Sequence, residues 1–107
     1  MTFKIEVSIA AKLDMRDGAD HIALDSRRHA LRWARGLNSE LLLLRQMPLR
    51  FPLIQEAEEL RVPLRSFHYF SHRVIYEVNE PKGVVTILRV LHNSRRPLSI
   101  EDVTGPE

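Results

Sequence analysis

The stretch HRVIYEVNEPKGVVTILRVLH, residues 72–92, decides the fold of this 107-residue chain. Two runs rich in β-branched residues, residues 72–78 and 84–92, flank a turn that contains Pro81 and Gly83. Apolar runs of this length on either side of a short Pro- and Gly-containing turn predict two antiparallel strands. The C-terminal half of the protein is therefore expected to be built on a sheet.

The residues before the hairpin extend this sheet. The segment LRSFHYF, residues 64–70, predicts a further strand, so that three consecutive strands form an antiparallel meander. Residues 48–63 contain three prolines and no sustained period, which predicts a loop with one short helical turn at residues 55–60. After the meander, residues 98–103 are expected to add a short edge strand, and residues 98–107 as a whole to form a partly flexible tail.

The N-terminal half predicts a strand and two helices. Residues 3–9 alternate apolar with polar side chains, which is typical of a strand with one exposed face. Apolar residues then recur at helical spacing in residues 10–24, and again from the candidate N-cap Ser26 to Met47. The order predicts one α+β domain over residues 1–107: an N-terminal strand, a two-helix hairpin packed on one face of the sheet, and the meander. The strand that pairs with the first one is not determined by the pattern.

Composition narrows the class of protein. The chain is 44% hydrophobic and 28% charged, as in soluble globular proteins, and it has no cysteine to form a disulfide, a thiol nucleophile or a thiolate metal site. Its longest apolar run, residues 41–44, is far too short to cross a bilayer, and the N-terminus lacks the apolar centre of a signal peptide. A cytoplasmic protein with no membrane association is expected.

Positive charge is concentrated in the second half of the chain. The net charge is only +2, but residues 61–100 contain seven basic and two acidic residues, a net charge of +5. Of the 16 cationic residues, 13 are arginine, whose planar guanidinium pairs with phosphate or carboxylate oxygens. An anionic partner, either nucleic acid or an acidic protein segment, is one interpretation, and an ordinary solvated basic face is the other.

Several of these segments resemble a known family. HRVIYEV followed by VVTILRVLHNSR, together with Arg65, the segment MPLRFP, Glu56 and the helical ALRWARGL, is similar to the RelE/ParE superfamily of toxins from bacterial type II toxin–antitoxin systems, also called plasmid stabilisation proteins. The resemblance implies a small growth-inhibiting toxin with this α+β fold and no cofactor. It also implies a cognate acidic antitoxin that binds the toxin in a hetero-oligomeric complex.

The superfamily has two branches with different targets. RelE-like members are ribosome-dependent mRNA endonucleases, for which the matching candidates in this chain are Arg65, Arg73, His92 and Arg95. Cleaving members often use lysines before the second strand and a tyrosine or histidine near the C-terminus. Here Lys82 is the only lysine after Lys12, and Tyr76 is the last tyrosine, which departs from the cleaving pattern.

ParE-like members inhibit DNA gyrase without a reaction of their own, and the resemblance favours this branch. The candidate residues for contact with a target or with the antitoxin follow from the basic second half of the chain. They are Arg65, Arg73, Arg89, His92, Arg95 and Arg96. A third interpretation is a degenerate relative that binds its antitoxin but inhibits nothing.

Structural roles compete with these functional ones. Tyr76 and Arg73 should lie on opposite faces of one strand, with Tyr76 in the core. Arg89 is in phase with apolar residues of the last strand and needs a carboxylate partner, for which Glu77 or Glu56 is expected. The histidines show no metal-ligand spacing, so no metal site is predicted.

Overall fold

The computed structural model describes residues 2–93 and 98–104 of the chain. In chain order, the elements are β1 Lys4–Val7, α1 Ile9–Ala23, α2 Arg27–Leu43, α3 Ala57–Leu60, β2 Arg65–Tyr69, β3 His72–Asn79, β4 Val84–His92 and α4 Ile100–Thr104. The predicted α+β order, with a strand, two long helices and a three-stranded meander, is confirmed. The prediction that the first strand reaches Ile9 is wrong, because Ile9 begins α1 and is 53% exposed.

The four strands form one sheet in the order β1-β4-β3-β2. The meander β2, β3 and β4 is antiparallel, and the turn between β3 and β4 ends at Gly83, whose φ of 66° favours glycine. The pattern of the sequence left the partner of β1 open, and the structure pairs β1 with β4 in parallel, Lys4 opposite Val84 and Val7 opposite Ile87. The helical segment between β1 and the meander provides the crossover that this parallel pair requires.

Both long helices begin at a serine N-cap. The Ser8 hydroxyl accepts a hydrogen bond from Ala11 N at the start of α1, and the Ser26 hydroxyl accepts one from His29 N at the start of α2. Ser8 is itself buried and donates a hydrogen bond to Leu88 O of β4 at 2.9 Å, so this residue joins the helix start to the sheet. In the described part of the chain, no helix is long and apolar enough to cross a membrane.

The larger core lies between the two long helices and one face of the sheet. Trp33, Leu37 and Leu41 of α2 recur at helical spacing and are buried there, as the sequence predicted. The strands contribute side chains from alternate positions of the meander and of β4. These are Phe67, Tyr69, Val74, Tyr76, Val85, Ile87 and Val90.

A smaller core covers the opposite face of the sheet. The sequence predicted an edge strand at residues 98–103, but this prediction is wrong, because residues 100–104 form the helix α4. Leu98 and Val103 are buried there against Ile75 of β3 and Leu88 of β4, together with residues of α3 and the loop around it. Packing over the face of the sheet allows this segment to bury these apolar side chains. An edge strand would have left them at the margin of the sheet.

A β-bulge interrupts the pairing of β3 with β4. Ile75 pairs with Arg89 and Tyr76 with Ile87, so Leu88 has no partner across the ladder. One extra residue reverses the alternation of side chains along β4. The prediction that Arg89 is in phase with Val85 and Ile87 is therefore wrong: Arg89 is opposite Ile75, a residue of the smaller core.

Candidate functional site

Arg73 and Glu56 form a bidentate ion pair on the face of the sheet that carries the smaller core. Arg73 Nη1 and Nη2 donate to the two Glu56 carboxylate oxygens at 3.0 and 2.9 Å, which is the planar fork geometry that guanidinium and carboxylate groups favour. The hydrogen bonds from Arg73 lower the pKa of Glu56 to about 2. The guanidinium charge of Arg73 is thus already compensated by a carboxylate of the same chain.

A cleft of about 510 Å³ opens beside this ion pair, and we call it the Arg73 cleft. Its walls come from the loop before α3, from β2 and β3, and from the end of β4. The polar side chains that line it are Gln55, Glu56, Ser66, His68, Arg73, His92 and Asn93. Two of the predicted site residues, Arg73 and His92, therefore lie in one cleft.

Arg65 lies on the other face of the sheet. It is two residues from the buried Phe67 along β2, and its Nη1 donates to Phe51 O at 2.6 Å and to Leu49 O at 3.3 Å. These bonds attach the proline-containing loop between α2 and α3 to the edge strand. The structure therefore does not bring Arg65 together with Arg73.

Arg89 is held in a buried cluster of charges. Its Nε and Nη2 donate to the two carboxylate oxygens of Asp14 in α1 at 2.7 and 2.9 Å, and its Nη1 donates to Asp102 O in α4 at 3.0 Å. The prediction that Arg89 needs a carboxylate partner is confirmed, but the expected partners Glu77 and Glu56 are wrong, because Asp14 takes this place. The Asp14 carboxylate raises the pKa of Arg89 further above its usual value.

Asp14 also completes the edge of the sheet. Its Oδ2 accepts a hydrogen bond from Val90 N at 2.9 Å, beyond the point where β1 ends its pairing with β4. A single carboxylate therefore satisfies a backbone donor of β4 and the guanidinium of Arg89. No local pattern indicates this role of Asp14, because Asp14 is 75 positions away from Arg89 and the sequence predicts only that it lies in a helix.

A second cleft, of about 670 Å³, opens between α1 and the ends of β3 and β4, and we call it the His72 cleft. The His72 ring lies between Trp33, at a centroid distance of 5.0 Å, and His92, at 5.3 Å. Burial lowers the pKa of His72, nearby His92 and His21 lower it further, and Asp14 opposes them. His72 Nδ1 is buried and has no hydrogen-bond partner in the described part of the chain.

Both tyrosines of the chain are buried. The Tyr76 hydroxyl donates to Pro48 O at 2.6 Å, and burial raises the pKa of Tyr76 to about 12. The Tyr69 hydroxyl donates to Trp33 O at 2.8 Å, and burial raises its pKa as well. As predicted, Tyr76 is a core residue on the face opposite Arg73, and neither phenol is placed to exchange a proton with a bound ligand.

Apart from Arg73 and His92, which share the Arg73 cleft, the described predicted site residues are dispersed over the fold. Arg65 and Arg73 lie on opposite faces of the sheet, Arg89 is bound to α1 and α4, and His92 is at the exposed end of β4. Arg95 and Arg96 lie outside the described residues. Within residues 2–93 and 98–104, no cluster of three or more His, Asp or Glu side chains could hold a metal ion.

One exposed residue was not singled out as a strong site candidate by the sequence. Phe70, in the turn between β2 and β3, is 79% exposed and has a φ of 52°, although neighbouring aromatic residues of β2 are buried. Its ring contacts Tyr69 edge-on at 4.8 Å and lines the His72 cleft. The prediction that the strand reaches Phe70 is wrong, because β2 ends at Tyr69 and Phe70 lies in a two-residue turn, a kind of turn that often requires a positive φ.

Solved structures of toxins share this fold. The chromosomal ParDE toxin–antitoxin system of P. aeruginosa matches with a TM-score of 0.67 and 18% identity, covering 85% of this chain and 96% of that one. The toxin–antitoxin complex RelBE2 of Mycobacterium tuberculosis matches with a TM-score of 0.62 and 19% identity, covering 89% and 95%. A mutant of the E. coli toxin RelE in the free state matches with a TM-score of 0.61 and 17% identity, covering 88% and 86%.

At these identities the structural matches establish a common fold, and they include both ParE and RelE proteins. A comparison with curated protein sequences finds no match. A family model described as the ParE toxin of the type II toxin–antitoxin system parDE matches residues 5–97, from β1 to beyond the end of β4. The chain therefore belongs to the ParE toxin family of type II toxin–antitoxin systems.

Proposed function

We propose that this chain is a toxin that inhibits DNA gyrase by binding to it, without a chemical reaction of its own. Membership of the ParE family supports a toxin. The choice of gyrase over the ribosome rests on the positions of the groups that RNA cleavage would require. Attack of a ribose 2′-hydroxyl on the adjacent phosphate needs a base, an acid and free cations around a single phosphate.

The described arginines of the candidate set are already engaged. Arg73 is paired with Glu56, Arg89 with Asp14, and Arg65 with two backbone carbonyls. A guanidinium that bound a phosphate would first have to give up these charge-assisted hydrogen bonds, each worth about 1.5 to 3 kcal/mol. Their present role in holding loops and helices to the sheet is compatible with a protein that binds its target and does not cleave it.

Most of the other groups that could exchange protons are buried or far apart. Both tyrosine hydroxyls are buried and bonded to carbonyl oxygens. Lys82 lies in the turn that precedes β4, whereas His92 ends this nine-residue strand, about 25 to 30 Å away at the usual rise of a strand. His68 and His92 do share the Arg73 cleft, but the only cation among its described lining residues is Arg73, which is paired with Glu56. This lack of a free described cation beside the histidines is the observation that supports an inhibitor over a nuclease.

Two assays with the purified protein test the proposal. In a DNA supercoiling assay, gyrase activity should fall when the protein is added in amounts comparable to the enzyme, because inhibition by binding is stoichiometric. In a ribosome-containing extract, a reporter mRNA should remain intact at the same protein concentration. An unrelated protein of similar net charge, with no enzymatic activity, is the control for nonspecific effects on DNA.

Two other outcomes would overturn the proposal and would support the alternatives. Codon-dependent cleavage of the reporter mRNA, with supercoiling unaffected, would indicate a RelE-like mRNA endonuclease. Normal growth of cells that express the soluble protein alone, with neither activity in vitro, would indicate a non-toxic relative that only binds its antitoxin. Growth arrest with a loss of negative supercoiling in the cell is the expected result.

We further propose that a cognate acidic antitoxin neutralises the protein in a hetero-oligomeric complex in the cytoplasm. Two of the matching solved structures are toxin–antitoxin systems, ParDE and RelBE2. The net charge of +5 over residues 61–100 suits an acidic segment that becomes ordered as it binds. Co-expression of the adjacent open reading frame should restore growth, and the two proteins should then purify together.

A further inference from the structure

Phe70 is a bulky residue at a turn position that favours glycine. It is the first residue of the two-residue turn between β2 and β3, and its φ is 52°, whereas Ser71 has no positive φ. Two-residue turns with a positive φ at the first position alone favour glycine there, because an L side chain is strained in this region. Glycine would form this turn with less strain, so the turn itself gives no reason for a phenylalanine.

The side chain of Phe70 is exposed and yet held in place. Phe70 is 79% exposed, and its ring contacts that of Tyr69 edge-on, at a centroid distance of 4.8 Å. Tyr69 is itself fixed, because it is buried and its hydroxyl donates to Trp33 O. A rigid aromatic side chain loses little conformational freedom when a partner covers it. These are the properties of an anchor residue in a protein interface.

The other Phe, Tyr and Trp side chains are all described, and none of them is exposed in this way. They are buried or half-buried in the larger core: Phe3, Trp33, Phe51, Phe67, Tyr69 and Tyr76. Proteins that bind single-stranded nucleic acid by stacking use several exposed rings along a positively charged groove. One exposed ring that stands alone fits a pocket on a protein better than a row of bases.

The surroundings of Phe70 distinguish between the two protein partners. The turn lies at the end of the sheet where β4 ends, because Ser71 O accepts a hydrogen bond from Asn93 N at 2.8 Å. The adjoining His72 cleft is lined by Asp14 and Asp17, with no lysine or arginine among the lining residues that the structure describes. An acidic antitoxin segment would meet no described cation there, whereas a neutral apolar pocket of the target enzyme would meet no repulsion.

We propose that Phe70 is an anchor of the surface that binds gyrase, and that its ring enters an apolar pocket of that enzyme. This inference rests on the proposed function and adds an apolar contact to it. The exposed residues Ser71, His92 and Asn93 provide a polar rim around the anchor, which keeps water from the ring in the complex. Apolar surface that the free protein leaves in water is thereby buried in the complex.

Substitutions of Phe70 test the anchor in the gyrase supercoiling assay. Phe70→Gly should require at least about tenfold more protein for half-maximal inhibition. Its melting temperature should stay within about 4 °C of the wild type or rise, since glycine accepts the positive φ. Phe70→Asn should behave in the same way, because asparagine also adopts this conformation. Phe70→Tyr keeps the ring and should stay within about threefold of the wild type.

Leu42→Ala is the matched control. Leu42 is an apolar residue of α2 that is 54% exposed, and it lies beside Lys4, which pairs with Val84 at the opposite end of β4. Its substitution removes exposed apolar surface far from the turn and should leave inhibition unchanged. An equal loss of inhibition in Leu42→Ala and Phe70→Gly would contradict a specific role of Phe70.

The assay separates failure of this inference from failure of the proposed function. No inhibition of gyrase by the wild type would overturn both, whereas wild-type inhibition that Phe70→Gly and Phe70→Asn retain would overturn the anchor alone. A fall in melting temperature of more than about 8 °C in both variants would assign the ring to the fold instead. Unchanged inhibition with a loss of antitoxin co-purification, or of binding to a labelled single-stranded oligonucleotide, would assign the ring to that partner and would also overturn the inference.

Discussion

At the scale of single residues, the fold depends on arginines whose partners are distant in sequence. The sequence predicted that Arg89 needs a carboxylate, because an unpaired guanidinium inside a sheet is costly. It could not identify Asp14, since the pairing depends on how α1 crosses the end of β4 and not on local spacing. The predicted partner Glu56 instead binds Arg73. The need for a counter-charge can thus be predicted, while its identity is set by tertiary structure.

Removal of the Arg89 side chain should destabilise the protein strongly. Arg89→Ala would leave the mostly buried Asp14 carboxylate without its cation and remove the bond to α4, at a cost of about 3 kcal/mol in the free energy of unfolding. Urea denaturation measures this loss. Arg28→Ala, on the exposed side of α2, is the control and should change stability by less than about 0.5 kcal/mol. Equal effects of the two variants would contradict a structural role for Arg89.

The ion pair between Glu56 and Arg73 should make stability depend on acidic pH. The pKa of Glu56 is about 2 in the folded protein, against 4.5 for the free group, so the unfolded chain binds the proton first as pH falls. The stabilisation is complete above about pH 5 and is lost as the pH falls towards 2; it amounts to about 3 kcal/mol.

Glu56→Gln should therefore lower stability at neutral pH and flatten its decline between pH 5 and 2. Thermal denaturation across this range, compared with that of the wild type, measures the difference between the two curves. Glu58→Gln is the matched control, because Glu58 is exposed on the short helix α3 that directly follows Glu56. Parallel curves for the wild type and Glu56→Gln would show that the ion pair does not carry this pH dependence.

At the scale of elements, strands and long helices could be predicted, whereas their irregularities could not. Residues 84–92 form β4 with the predicted bounds, because nine mostly apolar residues follow a turn that ends in glycine. The bulge at Leu88 depends on the register between two strands, and the apolar periodicity of one strand does not specify that register. The helix α4 has only five residues and packs through Val103, next to Leu98 of the segment before it, so tertiary burial and not intrinsic propensity determines its place.

The junction between β1 and α1 should be more sensitive than an ordinary helix start. Ser8 caps α1 and also donates a buried hydrogen bond to Leu88 O at the bulge, whereas Ser26 caps α2 at an exposed site with a single bond. Ser8→Ala should cost about 2 kcal/mol, the sum of a cap and a buried acceptor left unsatisfied, and Ser26→Ala about 1 kcal/mol. Chemical denaturation of both variants tests this, and a larger loss for Ser26→Ala would contradict it.

At the scale of the whole molecule, the sheet separates two regions with different roles. The long helices and β1 bury the larger core on one face, and α3 and α4 cover the other face together with the ion pair of Arg73. The described arginines of the basic second half contribute to this framework through Arg65, Arg73 and Arg89. Of the candidate arginines, Arg95 and Arg96 are the ones not assigned to this framework, so the contact with an anionic or enzyme target is expected beyond the end of β4.

Two arginines, Arg95 and Arg96, follow β4 in the sequence and lie outside the described residues. We therefore expect them to bind the target and not to stabilise the fold. We expect the double variant Arg95→Ala with Arg96→Ala to relieve growth arrest and to require at least about tenfold more protein for inhibition of gyrase supercoiling, because loss of charges at an interface weakens binding by more than 1.4 kcal/mol. Its melting temperature and its co-purification with the antitoxin should be retained. Arg27→Ala with Arg28→Ala, on exposed positions of α2, removes the same charge and should leave toxicity intact. If both double variants lose toxicity equally, net charge and not this strand end governs the inhibition.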